Sequence, residues 1–137
     1  MQIHENMTLD EIREVFSRDL YATQTTGCRI DEAGPDYAKC SLKLTDMHRN
    51  AMGAVMGGVY FTLGDFAFAV AANLAGVPTV SAASSIQFLS AAKGDTLTAK
   101  ARCLKNGRNT CFFEVEIMDE TQRTVCMMNV TASHVSR

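Results

Sequence analysis

The chain has 137 residues, of which 47% are hydrophobic and 20% charged, with 13 Lys and Arg against 15 Asp and Glu. This length and composition predict one globular domain, residues 1–137, with a single core. The net charge of −2 gives no basis for binding nucleic acid or an anionic membrane surface. The first residues show neither a basic segment nor an apolar stretch, so we expect no secretory signal and a cytoplasmic location.

Five cysteines and three histidines are spread along the chain. An odd cysteine count without a Cys-x-x-Cys pair is atypical of a secreted disulfide framework or a zinc site. We therefore predict small buried thiols in a reducing compartment. The histidines form no pair with ligand spacing, so no metal site is predicted. The residues concerned are Cys28, Cys40, Cys103, Cys111, Cys126, His4, His48 and His134.

A capping box opens the first predicted helix. Thr8 and Glu11 are spaced so that each side chain accepts a hydrogen bond from the other's backbone N–H. The helix is expected to run to about Asp19. Two strands are predicted after it, over residues 23–32 and 37–45, joined by an Ala-Gly-Pro-Asp turn.

Charged residues are nearly absent from residues 51–92. This window of 42 residues holds one charged side chain, Asp65, whereas the other 27 charged residues lie in the remaining 95 positions. Charged side chains are rarely buried without a partner. We therefore expect the segment to be buried nearly all round, with Asp65 as the one exception.

The first part of this window, residues 56–76, predicts a helix of about 18 to 20 residues. Bulky side chains recur with 4-3-4 spacing, and a second stripe of small side chains would let another backbone approach closely. Gly76 and Pro78 are a typical stop. A transmembrane span is disfavoured, because Asp65 lies at the centre and neither end has a basic flank. The bulky stripe is Val59, Leu63, Phe66 and Val70, and the small stripe is Gly64, Ala67 and Ala71.

Four further strands are predicted after the long helix, over residues 79–89, 96–105, 110–118 and 123–135. Leu97, Ala99 and Ala101 alternate with charged residues, and Asn106-Gly107 is a strong hairpin signal. The order of elements predicts an α+β architecture, an antiparallel sheet wrapped round one long central helix.

Asp65 has two interpretations. A structural aspartate would need a buried cation or several backbone donors, and no cation lies within two turns of it in the sequence. A desolvated carboxylate facing a cleft is instead what a general base or nucleophile requires.

Gly57-Gly58 at the helix entry also has two interpretations. Free N–H groups at a helix start suit an anion or an oxyanion, and glycine permits close approach of a ligand. A tight loop-to-helix turn without a ligand explains the same pair. Gly57 and Asp65 lie eight residues apart, about 12 Å along one helix. One chain therefore cannot offer both to a single reacting carbonyl, whereas a two-fold dimer with antiparallel helices can.

The segment from Asn50 to Phe68, NAMGAVMGGVYFTLGDFAF, resembles the signature of the hotdog-fold acyl-CoA thioesterases. Its nearest pattern is the phenylacetic-acid-pathway branch, which is 4-hydroxybenzoyl-CoA thioesterase-like and runs Asn, Gly, His-Gly-Gly, then Asp. Residues 81–95, SAASSIQFLSAAKGD, resemble the family's following strand and turn, with Ala91 where proline is usual. The resemblance covers most of the chain and implies a hotdog fold of five or six strands, paired into dimers and commonly into tetramers.

The resemblance also implies catalytic roles. Gly57 would donate its backbone N–H to the thioester carbonyl, and Asp65 of the other subunit would activate water or attack directly. Asn50 would orient the loop and the substrate carbonyl. The implied reaction hydrolyses an aryl- or medium-chain acyl-CoA to the free acid and CoA, with no metal or redox cofactor.

Substrate-binding positions follow from the same resemblance. Met56 and Gly58 flank the proposed oxyanion donor, and Ser81 matches a position that holds the attacking water in some relatives. Ser84 and Ser85 lie on the same predicted strand. We include Ser85 among the predicted substrate-binding residues.

Met56 departs from the family, which usually has histidine there. A thioether donates no hydrogen bond, so we expect a weakened or retuned enzyme, and the alternative is a non-catalytic acyl-CoA binding or sensing protein. A hotdog hydratase would need an Asp–His pair, but no histidine lies between Ala51 and Arg123. The Gly-x-Ser-x-Gly motif of a serine hydrolase is absent from the sequence.

Overall fold

The computed structural model describes residues 3, 4 and 6–135. Helix α1, Leu9–Phe16, begins at the predicted capping box: Glu11 N donates to Thr8 Oγ1 at 3.2 Å, and Thr8 N donates to Glu11 Oε1 at 2.9 Å. The helix ends three residues before the predicted end at Asp19.

The strand predicted over residues 23–32 is wrong in its first half. Tyr21–Thr26 form a π-helical turn that ends at Gly27, whose φ is +91°. The carbonyl of Asp19 accepts from both Thr23 N and Thr23 Oγ1 at 2.9 Å. These local hydrogen bonds compete with sheet pairing, and the strand therefore begins later, at Arg29.

Six strands form one antiparallel sheet, as predicted. Their order is β1-β2-β4-β5-β6-β3, so β1 and β3 are the edges. The hairpin predicted at Asn106 joins β4 to β5, with Asn106 opposite Cys111. The strands are β1 (Arg29–Gly34), β2 (Tyr37–Lys43), β3 (Thr79–Phe88), β4 (Thr96–Asn106), β5 (Thr110–Met118) and β6 (Thr124–His134).

Helix α2, Gly57–Asn73, packs against this sheet. At Gly64, in the small stripe, the close neighbours are side chains of the sheet and not another backbone, because a Cβ on Gly64 would lie 2.7 Å from Met128 Sδ and 3.2 Å from Ile117 Cδ1. Leu63 and Val70 are fully buried. Burial of this helix supplies most of the core on one face of the sheet.

The end of α2 is fastened to the start of β3 by one side chain. Asn73 Nδ2 donates to the carbonyls of Ala69 and Thr79, at 2.8 and 3.2 Å, and Asn73 Oδ1 accepts from Thr79 N at 2.9 Å. The helix is 17 residues long and stops three residues before Gly76, whose φ is +96°. These hydrogen bonds hold the end of α2 beside the start of β3, so the two elements run antiparallel.

Burial of residues 51–92 differs from the prediction. The helix is buried, but residues 51–54 and most of β3 are exposed in the single chain. Val80 is 53% exposed and Phe88 55%. β3 is an edge strand, so its outer backbone groups have no partner strand within the described chain.

The cysteines are all free, and four of the five are buried. Burial raises the pKa of Cys28 to about 12 and that of Cys126 to about 11, so both thiols stay protonated at neutral pH. Across residues 3, 4 and 6–135, no helix is long and apolar enough to cross a membrane. In the same residues, no group of three or more His, Cys, Asp or Glu side chains is placed to hold a metal ion.

Candidate active site

Helix α2 starts with backbone donors directed away from the sheet's core. Met56, at the N-cap position, offers no side-chain hydrogen bond to the first turn, and Val59 N donates to Met56 O at 3.0 Å. The N–H groups of Gly57 and Gly58 precede the first intrahelical bonds. They carry the positive end of the helix dipole, which favours a carbonyl oxygen that becomes negative.

The loop before the helix is organised by Asn50. Its Oδ1 accepts from Met52 N at 2.9 Å and from Ala54 N at 3.1 Å, and its own N–H donates to Ala54 O at 2.8 Å. Gly53, with φ +83°, completes the turn. The side-chain carbonyl oxygen of Asn50 thus holds the loop in place before the helix.

His48 fastens this loop to the N-terminal segment, a role that the sequence did not reveal. Its Nδ1 accepts from Thr45 N at 3.0 Å, which leaves Nε2–H to donate to Thr26 O at 2.7 Å. The His48 carbonyl accepts from Met56 N at 2.9 Å. The buried imidazole therefore connects the entry of α2 to the π-helical turn.

Gly57 lines a cleft of about 540 Å³ between the loop and the end of β3. Phe88 borders Gly57 so closely that a Cβ at position 57 would lie 3.2 Å from Phe88 Cζ. Arg49 is the cation on this wall, and its guanidinium lies 3.6 Å from Asp95. The cleft is lined by Arg49, Gly53, Ala54, Val55, Gly57, Tyr60 and residues 88–92.

Asp65 lines a second cleft, of about 410 Å³, on another side of the helix. Burial raises the pKa of the Asp65 carboxyl above its usual value, and the negative charge of Asp19 raises it further. The remaining lining is mainly apolar, with Thr62 as a further polar residue. The lining residues are Asp19, Leu20, Tyr21, Ala22, Phe61, Thr62, Asp65, Phe66 and Ala69.

The two clefts share no lining residue. Gly57 and Asp65 therefore do not meet within one chain. Ser81 and Ser85 lie exposed on β3, opposite Ala132 and Asn129 of β6, and line neither cleft.

Met56 and Gly58 also lie outside both clefts. Met56 is 57% exposed, and its Cε would lie 3.7 Å from a Cβ on Gly58. The thioether therefore stands beside the uncapped helix start.

The sequence is similar to that of the thioesterases. The Thioesterase superfamily matches residues 52–126. The acyl-coenzyme A thioesterase PaaI of Escherichia coli is 36% identical over 102 residues, which are 74% of this chain and 73% of that protein. Acyl-coenzyme A thioesterase 13 of mouse is 32% identical over 92 residues, which are 65% of this chain and 66% of that protein.

Solved structures agree with this similarity. The E. coli PaaI protein, from the phenylacetic acid degradation operon, matches with a TM-score of 0.82 and 28% identity, covering 94% of this chain and 97% of that one. A hypothetical thioesterase protein with coenzyme A from Streptococcus pneumoniae matches with a TM-score of 0.81 and 26% identity, covering 89% of this chain and 98% of that one.

The chain belongs to the thioesterase superfamily. It is a thioester hydrolase with the hotdog fold, and the predicted resemblance to the phenylacetic-acid-pathway branch is confirmed.

Proposed function

We propose that this chain is an acyl-CoA thioesterase that hydrolyses an aryl- or medium-chain acyl-CoA at sites shared between two subunits. Two relatives are named acyl-coenzyme A thioesterases, and a solved relative is described with coenzyme A. These names support CoA as the carrier of the acyl group.

The separation of Gly57 from Asp65 carries the proposal. A thioester carbonyl needs an oxyanion donor and a base each within about 3 Å. In one chain these groups line different clefts, about 12 Å apart along the helix. A second copy with its helix antiparallel would place its own Asp65 against the first chain's Gly57, and two-fold symmetry would create two equivalent sites.

Strand β3 is the surface on which the second copy would dock. It is an exposed edge without charged residues, and natural proteins rarely leave such an edge unpaired. Antiparallel pairing of two β3 strands would bring the Phe88 end of one beside the Ser81 end of the other. Ser81 lies seven residues before Phe88, about 23 Å along the strand. It therefore approaches the Gly57 cleft of the other subunit, and further pairing of dimers would give a tetramer.

The chemistry then follows from the two groups. The Gly57 N–H stabilises negative charge on the carbonyl oxygen while a new bond forms at the carbonyl carbon. Asp65, as a carboxylate, either takes a proton from the attacking water, or attacks the carbon itself to form a mixed anhydride that water then hydrolyses to the free acid and the regenerated carboxylate. The C–S bond breaks, CoA leaves as the thiolate, and a proton then reaches the sulfur. The apolar walls beside Asp65, which include Leu20 and Phe61, suit the acyl group.

The first experiment measures CoA release from phenylacetyl-CoA and hexanoyl-CoA with a thiol-reactive reporter. We expect Asp65→Asn and Asp65→Ala to lower kcat by about 10²- to 10⁴-fold. Circular dichroism and size-exclusion chromatography check that both variants keep the fold and assembly of the wild type. Equal activity of the wild type and these variants would remove Asp65 from the mechanism.

The second experiment removes the oxyanion donor with little change to the backbone. Proline fits the first position of a helix and lacks an N–H. Met56, with φ −65° and ψ 137°, already has the conformation that precedes proline. Gly57→Pro is therefore expected to lower kcat by about 10²- to 10³-fold. Gly57→Ala adds the same Cβ but keeps the N–H, so it is the matched control and should be far more active.

Mixed assemblies test whether the site is shared. Random pairing of Gly57→Pro and Asp65→Ala chains yields half heterodimers, each with one intact site, so about one quarter of wild-type activity should return. No recovery in verified mixed dimers would place both groups in one chain's site.

The alternative is a non-catalytic acyl-CoA binding protein. If acyl-CoA raises the Tm of the wild type but is not hydrolysed, the protein is a binding module, and Met56 becomes the residue to examine.

A further inference from the structure

The ring of Phe88 lies beside the first residue of helix α2. Its Cζ, Cε1 and Cε2 atoms would be 3.2, 3.3 and 3.8 Å from a Cβ on Gly57. The ring therefore occupies the space where a side chain at position 57 would begin. A substrate oxygen approaching along the helix axis would pass the edge of this ring.

The ring is held in that position from two sides. Its centroid lies 6.0 Å from the ring of Tyr60, which is 5% exposed and anchored in the core. Directly after Phe88, Leu89 N donates to Val125 O at 2.8 Å, which fixes the backbone at the end of β3. Yet Phe88 remains 55% exposed and lines the Gly57 cleft. A fixed apolar ring thus faces the space that the reacting group would occupy.

We propose that Phe88 is a positioning residue that excludes water from the Gly57 N–H and holds the thioester carbonyl against it. This inference rests on the proposed role of Gly57. A hydrogen-bond donor stabilises developing charge more strongly where water is excluded, and Gly57 has no side chain that would cover its own N–H. Phe88, at the end of strand β3, covers the N–H instead.

Steady-state kinetics with hexanoyl-CoA test the proposal. Phe88→Ala is expected to lower kcat about tenfold with a smaller change in KM, since the lost effect acts on the developing oxyanion. Phe88→Leu retains apolar bulk and should stay within about threefold of the wild type. Phe112→Ala removes another exposed phenylalanine, 40% exposed on β5, and should leave kcat unchanged. Thermal melts confirm that each variant is folded.

A double-mutant comparison tests the contact itself. Gly57→Ala displaces the ring in the wild-type background and should lower kcat, whereas adding it to Phe88→Ala should have no further effect. Additive losses, an unchanged kcat in Phe88→Ala, or a change in KM alone would each overturn the proposal. So would equal losses in Phe88→Leu and Phe88→Ala. An inactive wild type would instead refute the proposed function on which the inference rests, which separates the two failures.

Discussion

Gly57 and Asp65 lie on one helix, eight residues apart, and open into two clefts with no residue in common. Within the described part of the chain, the carboxylate that faces the Asp65 cleft with it is Asp19, and no cation lines that cleft. The helix therefore carries the proposed oxyanion donor, a neutral backbone N–H, at one end and an unneutralised acidic pair near its middle.

The acidic pair predicts a pH dependence of hydrolysis. In the proposed mechanism Asp65 acts as a carboxylate, and its pKa is raised by burial and by Asp19. Activity should therefore fall with decreasing pH at a higher pH than for an ordinary aspartate. Asp19→Asn removes the second cause, so the acidic limb of the kcat profile should move to lower pH. Tyr21 is the other titratable group lining this cleft and is left in place.

The matched control for that profile is Glu14→Gln. Glu14 is exposed on α1, outside the cleft, and its substitution removes the same charge from the protein. Its acidic limb should coincide with that of the wild type. If both variants shift the limb equally, net charge and not the Asp19–Asp65 pair controls the titration.

Close packing at Gly64 predicts a loss of stability on enlarging this residue. The Cβ of Gly64→Ala would lie 2.7 Å from the sulfur of buried Met128. Overpacking typically costs about 1–3 kcal/mol, and the helix propensity of alanine returns up to about 1. We expect a net loss of about 1–2 kcal/mol in the free energy of unfolding, measured in urea. Gly58→Ala, at the exposed helix start, should be neutral or stabilising, and equal effects at both positions would contradict this account.

The sequence predicted what depends on local pattern. The apolar stripe and near absence of charge defined α2, and alternation defined β4 and β5. The spacing of Gly57 and Asp65 already implied that one chain offers them at separate places. The exposed β3 edge shows why a charge-free segment is not always buried within its own chain: the same composition suits a surface that another copy covers.

The remainder depended on contacts between residues far apart in the chain. Phe88 follows Gly57 by 31 residues, and Asp19 precedes Asp65 by 46, so no spacing rule brings them together. The π-helical turn at Tyr21–Thr26 is held partly by His48. The sequence did not reveal this partner, and the local hydrogen bonds of Thr23 to the Asp19 carbonyl, which compete with sheet pairing, replace the first half of the strand predicted over residues 23–32.

The hydrogen bonds of the Asp119 carboxylate lead us to predict that the folded chain loses stability at low pH. Its buried carboxylate accepts from Lys93 N, from Thr121 N and Oγ1, and from Arg123 N, which joins the turn after β5 to the loop before β4. These hydrogen bonds lower the pKa of Asp119 to about 2, and the bond from the Thr121 hydroxyl has the largest effect. A depressed pKa gives stability that is present above the ordinary aspartate value and lost as pH falls toward 2.

We therefore expect Asp119→Asn to reduce the free energy of unfolding by about 2–3 kcal/mol at neutral pH. Its stability should also change less than that of the wild type between pH 4 and pH 2. Asp10→Asn is the control, because the Asp10 side chain is 95% exposed and should contribute little. Parallel pH–stability curves for the wild type and Asp119→Asn would show that this carboxylate does not control acid unfolding.

Met56→His introduces the histidine that the sequence resemblance implies at this position, beside the proposed oxyanion donor. Met56 is 57% exposed at the N-cap of α2, so an imidazole fits without disturbing the core, and Tm should change by no more than about 2 °C. A new N–H donor near the carbonyl oxygen is expected to raise kcat by up to about 10²-fold. Met52→His, at a 90% exposed position in the same loop, controls for an added histidine and should leave kcat unchanged. A lower kcat in Met56→His would show that the cleft is adapted to an apolar group at this position.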